Sequence, residues 1–204
     1  MKYNELIKNR SLRHTQVSVY KEESIGIEDA LYIEFLRDNN GGYFYTNSLL
    51  LFGFSEKQEQ FNILHMNDLY KKYYANLVDG LYFFGQDIFG NGFAFENESI
   101  VFFNMESGQK DVLASSFIEW LEVLYNDLDY YTGESLVSEL NNDERKELTI
   151  NKRLSPKYPF ILGGEYDINN LVLKNYIENI SYNSSIAKQV YGLPAGSKIE
   201  IKIE

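Results

Sequence analysis

Residues 81–104 read LYFFGQDIFGNGFAFENESIVFFN, and this stretch decides the fold. Three short runs, Leu81 to Gly85, Gly92 to Phe95 and Ile100 to Asn104, are built from aromatic and β-branched side chains, which suit a pleated, packed surface. Gln86 to Asn91 connects the first two runs, and Glu96 to Ser99 turns between the last two. The reading is a β-meander. Gly85, Gly90 and Gly92 mark a bulge or a close backbone approach, because glycine otherwise weakens a strand.

Working outward, helices flank the meander on both sides. Downstream, Ser116 and Glu119 have the spacing of a capping box. Phe117, Trp120, Leu121, Leu124 and Tyr125 then form an apolar stripe of helical period, with Glu119 and Glu122 on the polar side. Leu136 to Glu147 reads as a shorter acidic helix. Upstream, Ile27 to Asp38 carries Ile27, Leu31 and Phe35 on one face and stops at Asn39-Asn40-Gly41-Gly42. Strands follow at Tyr43 to Tyr45 and Leu49 to Phe54, then a helix at Met66 to Ala75.

From Asn151 the character changes. Pro156, Pro159 and Gly163-Gly164 read as a joint, Leu171 to Lys174 as a strand, and Tyr176 to Tyr191 as a helix. Ile199, Ile201 and Ile203 alternate with charged residues, the period of a half-buried strand. The expected class is α+β: a central, mainly antiparallel sheet with helices packed on it, plus a C-terminal strand-helix-strand appendage. Residues 1–150 form the main domain. Residues 151–204 pack on it, because about fifty residues make a poor core alone.

The 204 residues include no cysteine, which removes disulfides, thiolate catalysis and cysteine-ligated zinc. Met1 to Thr15 is polar with no apolar stretch behind its basic residues, so a cytoplasmic protein without a secretory signal or membrane span is expected. Net charge is −11, which disfavours nucleic-acid binding. Eleven acidic residues lie between Asn104 and Glu147 against three basic ones, leaving −8 in that stretch. Such a stretch serves either as a solvated helical face or as a docking surface for a basic partner.

No catalytic constellation emerges. His14 and His65 lack metal-site spacing, and Ser115-Ser116 lacks a nucleophile elbow. Asp87 to Glu98 places Asp87, Asn91, Gly92 and Glu98 at calcium-loop positions, but Phe89 stands where an oxygen ligand is needed. Gly85 to Gly92 lacks the ending of a phosphate loop. No pair of carboxylates stands out for glycoside hydrolysis. The chain reads as a non-enzymatic protein that needs no cofactor or metal and binds another protein.

Several of these segments, in this order, resemble the Smi1/Knr4, or SUKH, superfamily. They are Asn40-Gly41-Gly42, Leu81 to Gly85, Gly92 to Phe95, Ile100 to Asn104, and Leu113-Ala114-Ser115-Ser116-Phe117-Ile118-Glu119-Trp120-Leu121. The resemblance runs over roughly Ser24 to Leu124. It implies a bacterial immunity protein that neutralises a cognate toxin, often a nuclease, in the cytoplasm of the producing cell. Fungal members are implied to regulate cell-wall synthesis through protein contacts, which keeps a non-catalytic adaptor as the alternative. A glycan-processing enzyme is a third class. No catalytic residues carry over. The expected contact patch combines aromatic and acidic side chains: Tyr125, Asp127, Asp129, Tyr130, Tyr131 and Glu134.

Overall fold

The computed structural model describes residues 3–13, 26–55, 59–194 and 196–202. Seven strands form one antiparallel sheet in sequence order: β1 (Arg10–Leu12), β2 (Gly42–Phe44), β3 (Leu49–Leu51), β4 (Leu81–Gln86), β5 (Gly92–Glu96), β6 (Ser99–Phe103) and β7 (Lys110–Ala114). The expected meander is β4–β5–β6. Its register shifts between Phe83 and Gly85, where a Cβ on Gly85 would stand 2.6 Å from the Leu51 side chain. A Cβ on Gly92 would meet the Phe83 ring at 2.4 Å, so both glycines answer to close approach.

The unbroken apolar runs have a simple cause: helices cover both faces of the sheet. On one face, α2 (Ala30–Asn39) and α4 (Phe117–Asn126) bring Tyr32, Phe117 and Trp120 onto Phe84, Phe93 and Phe95. On the other, α3 (Ile63–Tyr74) stacks Tyr70 on Phe83 with centroids 3.9 Å apart and sets Tyr74 edge-on to Phe103. Helix α8 (Tyr176–Val190) packs beside α3 and adds Tyr176, Ile180 and Ala187 to the same core. A short N-terminal helix, α1 (Asn4–Lys8), contributes Leu6.

Helix ends differ in detail from the sequence reading. Ile27 lies outside α2, because Asp29 is its N-cap, accepting from Tyr32 N at 2.8 Å. The other Asp29 oxygen accepts from Phe117 N at 2.7 Å, so one carboxylate caps two helices. The capping box at Ser116 is half made: Ser116 accepts from Glu119 N, while the Glu119 carboxylate turns to Ser115 N (3.0 Å) and Ser115 Oγ (2.6 Å). The strand expected over Leu49 to Phe54 stops at Leu51. The helix expected over Leu136 to Glu147 is two, α6 (Glu134–Glu139) and α7 (Asn142–Ile150), divided by Leu140 in extended backbone.

The C-terminal order also needs correction. Beyond α7, β8 (Lys152–Pro156) pairs with β9 (Leu171–Asn175) and α8 follows, giving strand-strand-helix. The joint read at Pro156 is the last residue of β8. The described part of the expected final strand, through Lys202, is irregular. It runs along α8, where Gln189 donates to Lys202 O (2.8 Å) and accepts from Lys202 N (2.9 Å) in place of a pairing strand. Ile203 and His14 lie outside the described residues. A second apolar cluster joins Ile88 and Phe89 to Leu136, Val137, Leu140, Leu148, Leu154 and Leu171. It draws on residues before and after 150.

Candidate functional site

The most exposed part of the expected contact patch is built by a chain reversal after α4. Asp127 ends α4 and caps the short α5 (Leu128–Thr132), its side chain accepting from Tyr130 N at 3.4 Å. Gly133, left-handed at φ 71°, then admits α6. Asp129 is fixed by Ser135, which donates through N (2.7 Å) and Oγ (3.0 Å). Asp127, Asp129 and Tyr130 all face solvent, with Tyr130 67% exposed.

These three residues line one side of a cleft of about 470 Å³. Phe102 and Asn104, at the end of β6, add a second wall. Asp87, Phe89 and Asn91 come from the β4–β5 loop, and Phe160 and Tyr166 from the β8–β9 connection. Two aromatic groups result. Phe89 meets Phe160 and Tyr166 with centroids 5.4 and 5.6 Å away, while Tyr131 sits edge-on to both Phe102 (5.8 Å) and Tyr130 (5.0 Å). Among the described residues, no lysine or arginine lines the cleft.

The remaining patch residues stand behind or beside it. Tyr125 is partly buried against the main core and is not among the cleft residues. Its hydroxyl is pushed above the ordinary tyrosine value, chiefly by burial. Tyr131 backs Tyr130. Glu134 opens α6, and burial followed by the Asp129 charge raises its carboxyl. Burial, then Asp129 and Asp87, likewise raises the Tyr166 hydroxyl.

Asp87 anchors the loop at the bottom of the cleft. Its Oδ1 accepts from the backbone N of Phe89 (2.9 Å), Gly90 (2.7 Å) and Asn91 (2.8 Å), and its Oδ2 accepts from Asn91 Nδ2 (2.8 Å). Burial pushes its carboxyl up to about 7 against the pull of these donors. The calcium-like spacing of this loop thus serves a carboxylate that holds its own backbone. Beneath it, Tyr70 donates to Gly90 O at 2.8 Å. With its amide oxygen toward Arg153, Gln86 accepts from Nε (2.7 Å) and Nη2 (3.1 Å) of that buried arginine, tying β8 to β4.

Sequence reasoning missed Phe102, Phe160, Tyr166 and Asp87 as cleft residues. Phe160 and Tyr166 flank Gly163-Gly164 without any periodicity, and that was their only signal. A larger open cavity of about 960 Å³ lies under the 194–201 segment, beside Val190 and Leu193. Among the described residues its walls are mainly apolar, and the charged residue lining it is Lys198. His65 Nε2 lies 3.3 Å from Tyr176 Oη, a contact between α3 and α8. Among the described residues, no group of three or more His, Cys, Asp or Glu side chains is placed to hold a metal ion.

The β-meander, the Asn40 turn and the Ser116 helix start fall inside one segment that matches a known family model. Residues 29–123 match the SMI1 / KNR4 family (SUKH-1). The SUKH-1 match thus covers α2 through most of α4 and stops just before Asp127. The chain is also similar in fold to a solved structure, that of Atu4351 from Agrobacterium tumefaciens. The TM-score is 0.51 at 14% identity over 89% of this chain and 88% of that one. The fold likeness therefore extends beyond the SUKH-1 segment. No curated protein matches the chain. Among the described residues, no helix is long and apolar enough to cross a membrane.

Proposed function

We propose that this is an immunity protein of a bacterial polymorphic toxin system, which neutralises a cognate toxin by direct binding through the face that carries the cleft. The observation that carries the reading is the cleft itself, an open concavity of aromatic rings and carboxylates with no basic side chain among the described residues of its walls, next to a SUKH-1 segment. A nuclease toxin suits this surface, because a groove that binds phosphate is basic. Opposite charge would steer encounter at up to about 10⁸–10⁹ M⁻¹s⁻¹ at low salt, and buried aromatic anchors would slow dissociation. In this reading the protein is cytoplasmic and non-catalytic, uses no cofactor, and contacts neither nucleic acid nor membrane. Residues 151–204 belong to the same working unit as residues 1–150. The apolar cluster shared by Leu136, Leu148, Leu154 and Leu171 supports that, as does the supply of Phe160 and Tyr166 to the cleft.

Co-expression with any toxin-like C-terminal domain encoded by a neighbouring gene tests the proposal. Rescue of growth together with a stable co-purified complex is the expected outcome. Failure to rescue against a demonstrably toxic neighbour would shift the weight to a regulatory adaptor, the second function implied by the family resemblance.

A further inference from the structure

The cleft has a chemical preference that follows from its walls. Aromatic faces attract cations through their quadrupole, and the attraction grows when the cation is drawn out of water. Here the Phe89–Phe160–Tyr166 group and the rings of Phe102 and Tyr130, each edge-on to Tyr131, line one opening, with Tyr130 and Tyr166 its exposed rings and Asp127 and Asp129 beside it. About 470 Å³ is enough for one long side chain and its head group.

A second observation points the same way. Behind the cleft lies a small cavity of about 20 Å³, which shares Phe89, Asn91, Asn104 and Phe160 with it. Glu106 and Asn183 line this inner space, and they are only 5% and 1% exposed. Glu106 Oε2 accepts from Ile161 N at 2.8 Å. Its Oε1 and the Asn183 Oδ1 have no partner at full hydrogen-bond geometry among the described residues, though the Phe160 backbone N–H also interacts with this carboxylate. Two buried acceptors, one of them on a carboxylate, face a space the size of one water, and a water held there can relay a hydrogen bond from a donor head group in the cleft.

We infer that the cleft is a receptor for a single arginine side chain, presented by the protein partner. Arginine is favoured over lysine because a planar guanidinium can stack on a ring face while its fork donates to carboxylates. The assignment rests on the reading of this face as the docking surface, and it names the anchor that the partner inserts.

The test uses the full chain with labelled aromatic rings, titrated in an NMR tube with N-acetyl-arginine amide. The neutral citrulline and the lysine analogues serve as the other arms. Arginine should shift the Tyr130, Phe160 and Tyr166 ring signals saturably, at least about tenfold more tightly than citrulline. Tyr130→Ala and Asp127→Asn, both at exposed positions that should leave the fold intact, should each weaken the effect. Equal response to citrulline, no saturable response, or shifts confined to rings elsewhere would overturn the cage, and equal binding of lysine would overturn the choice of guanidinium. The docking reading fails separately. A cage that binds arginine while toxin affinity ignores Asp127→Lys/Asp129→Lys leaves the cage and removes the interface. Toxin binding lost on charge reversal without any arginine response does the opposite.

Discussion

Two aromatic assemblies in this molecule use the same residue types for opposite ends. Around β4–β6, the rings of Phe84, Phe93, Phe95 and Trp120 are closed in by α2 and α4, and Trp120 is fully buried. Around the cleft, Tyr130, Phe160 and Tyr166 are left open on one side among carboxylates, with Tyr166 53% exposed, while Phe102 behind them belongs to the main core. The first assembly repays ordering of the chain by removing apolar surface from water. The second keeps part of that surface uncovered, which a fold tolerates where a partner covers it. Stability and binding should therefore respond to different residues.

The largest effect on stability is expected in the closed assembly. Trp120→Ala should cost about 3–5 kcal/mol in urea unfolding, because it empties a site with rings on several sides. A midpoint close to wild type would mean that the two faces are not packed as described. Next comes Asp29→Ala, which uncaps α2 and α4 together. A loss of about 2 kcal/mol is predicted, with Asp29→Asn recovering part of it.

The loop beneath the cleft should show itself in the pH dependence. The Asp87 carboxyl is raised from 3.8 to about 7 in the folded chain, so between those values the folded state holds a proton that the unfolded state has released. Its contribution to stability is therefore lost as pH rises through that window, and the burial penalty is complete above it. Thermal unfolding should show a higher midpoint near pH 5.5 than near pH 8, and Asp87→Asn should flatten part of that slope. An unchanged slope would show the four N–H donors outweighing burial. The smallest stability effect belongs to the open assembly: Tyr130→Ala should change unfolding by less than about 0.5 kcal/mol. If it cost as much as a core substitution, the contrast between the two assemblies would collapse.

The same contrast explains what could be read from the sequence. The meander was legible because the sheet is covered on both faces, which turns β4, β5 and β6 into unbroken apolar runs. Strand β7 was not, since Lys110, Asp111 and Val112 lie exposed at the sheet edge, Val112 at 71%, and no alternation marks them. The terminal alternation of isoleucine and charge predicted a strand, but α8 rather than a strand edge lies beside it. Among the cleft residues, Asp127, Asp129 and Tyr130 stand out in the sequence by their mix of acidic and aromatic side chains. Their partners Phe160 and Tyr166 are some thirty residues further along, and only the folding of β8 and β9 over α6 and α7 brings them near. Tyr125 follows the helical stripe that first identified it, and so points to the core.

Direct protein binding through the cleft face is the proposal on which the rest depends. Its most direct test is the affinity of the cognate toxin domain for the wild-type chain and for Asp127→Lys/Asp129→Lys, with circular dichroism confirming that both are folded. The account predicts a loss of at least about tenfold on charge reversal, smaller at high salt, where opposite charges are screened. An affinity unchanged at low salt would contradict it.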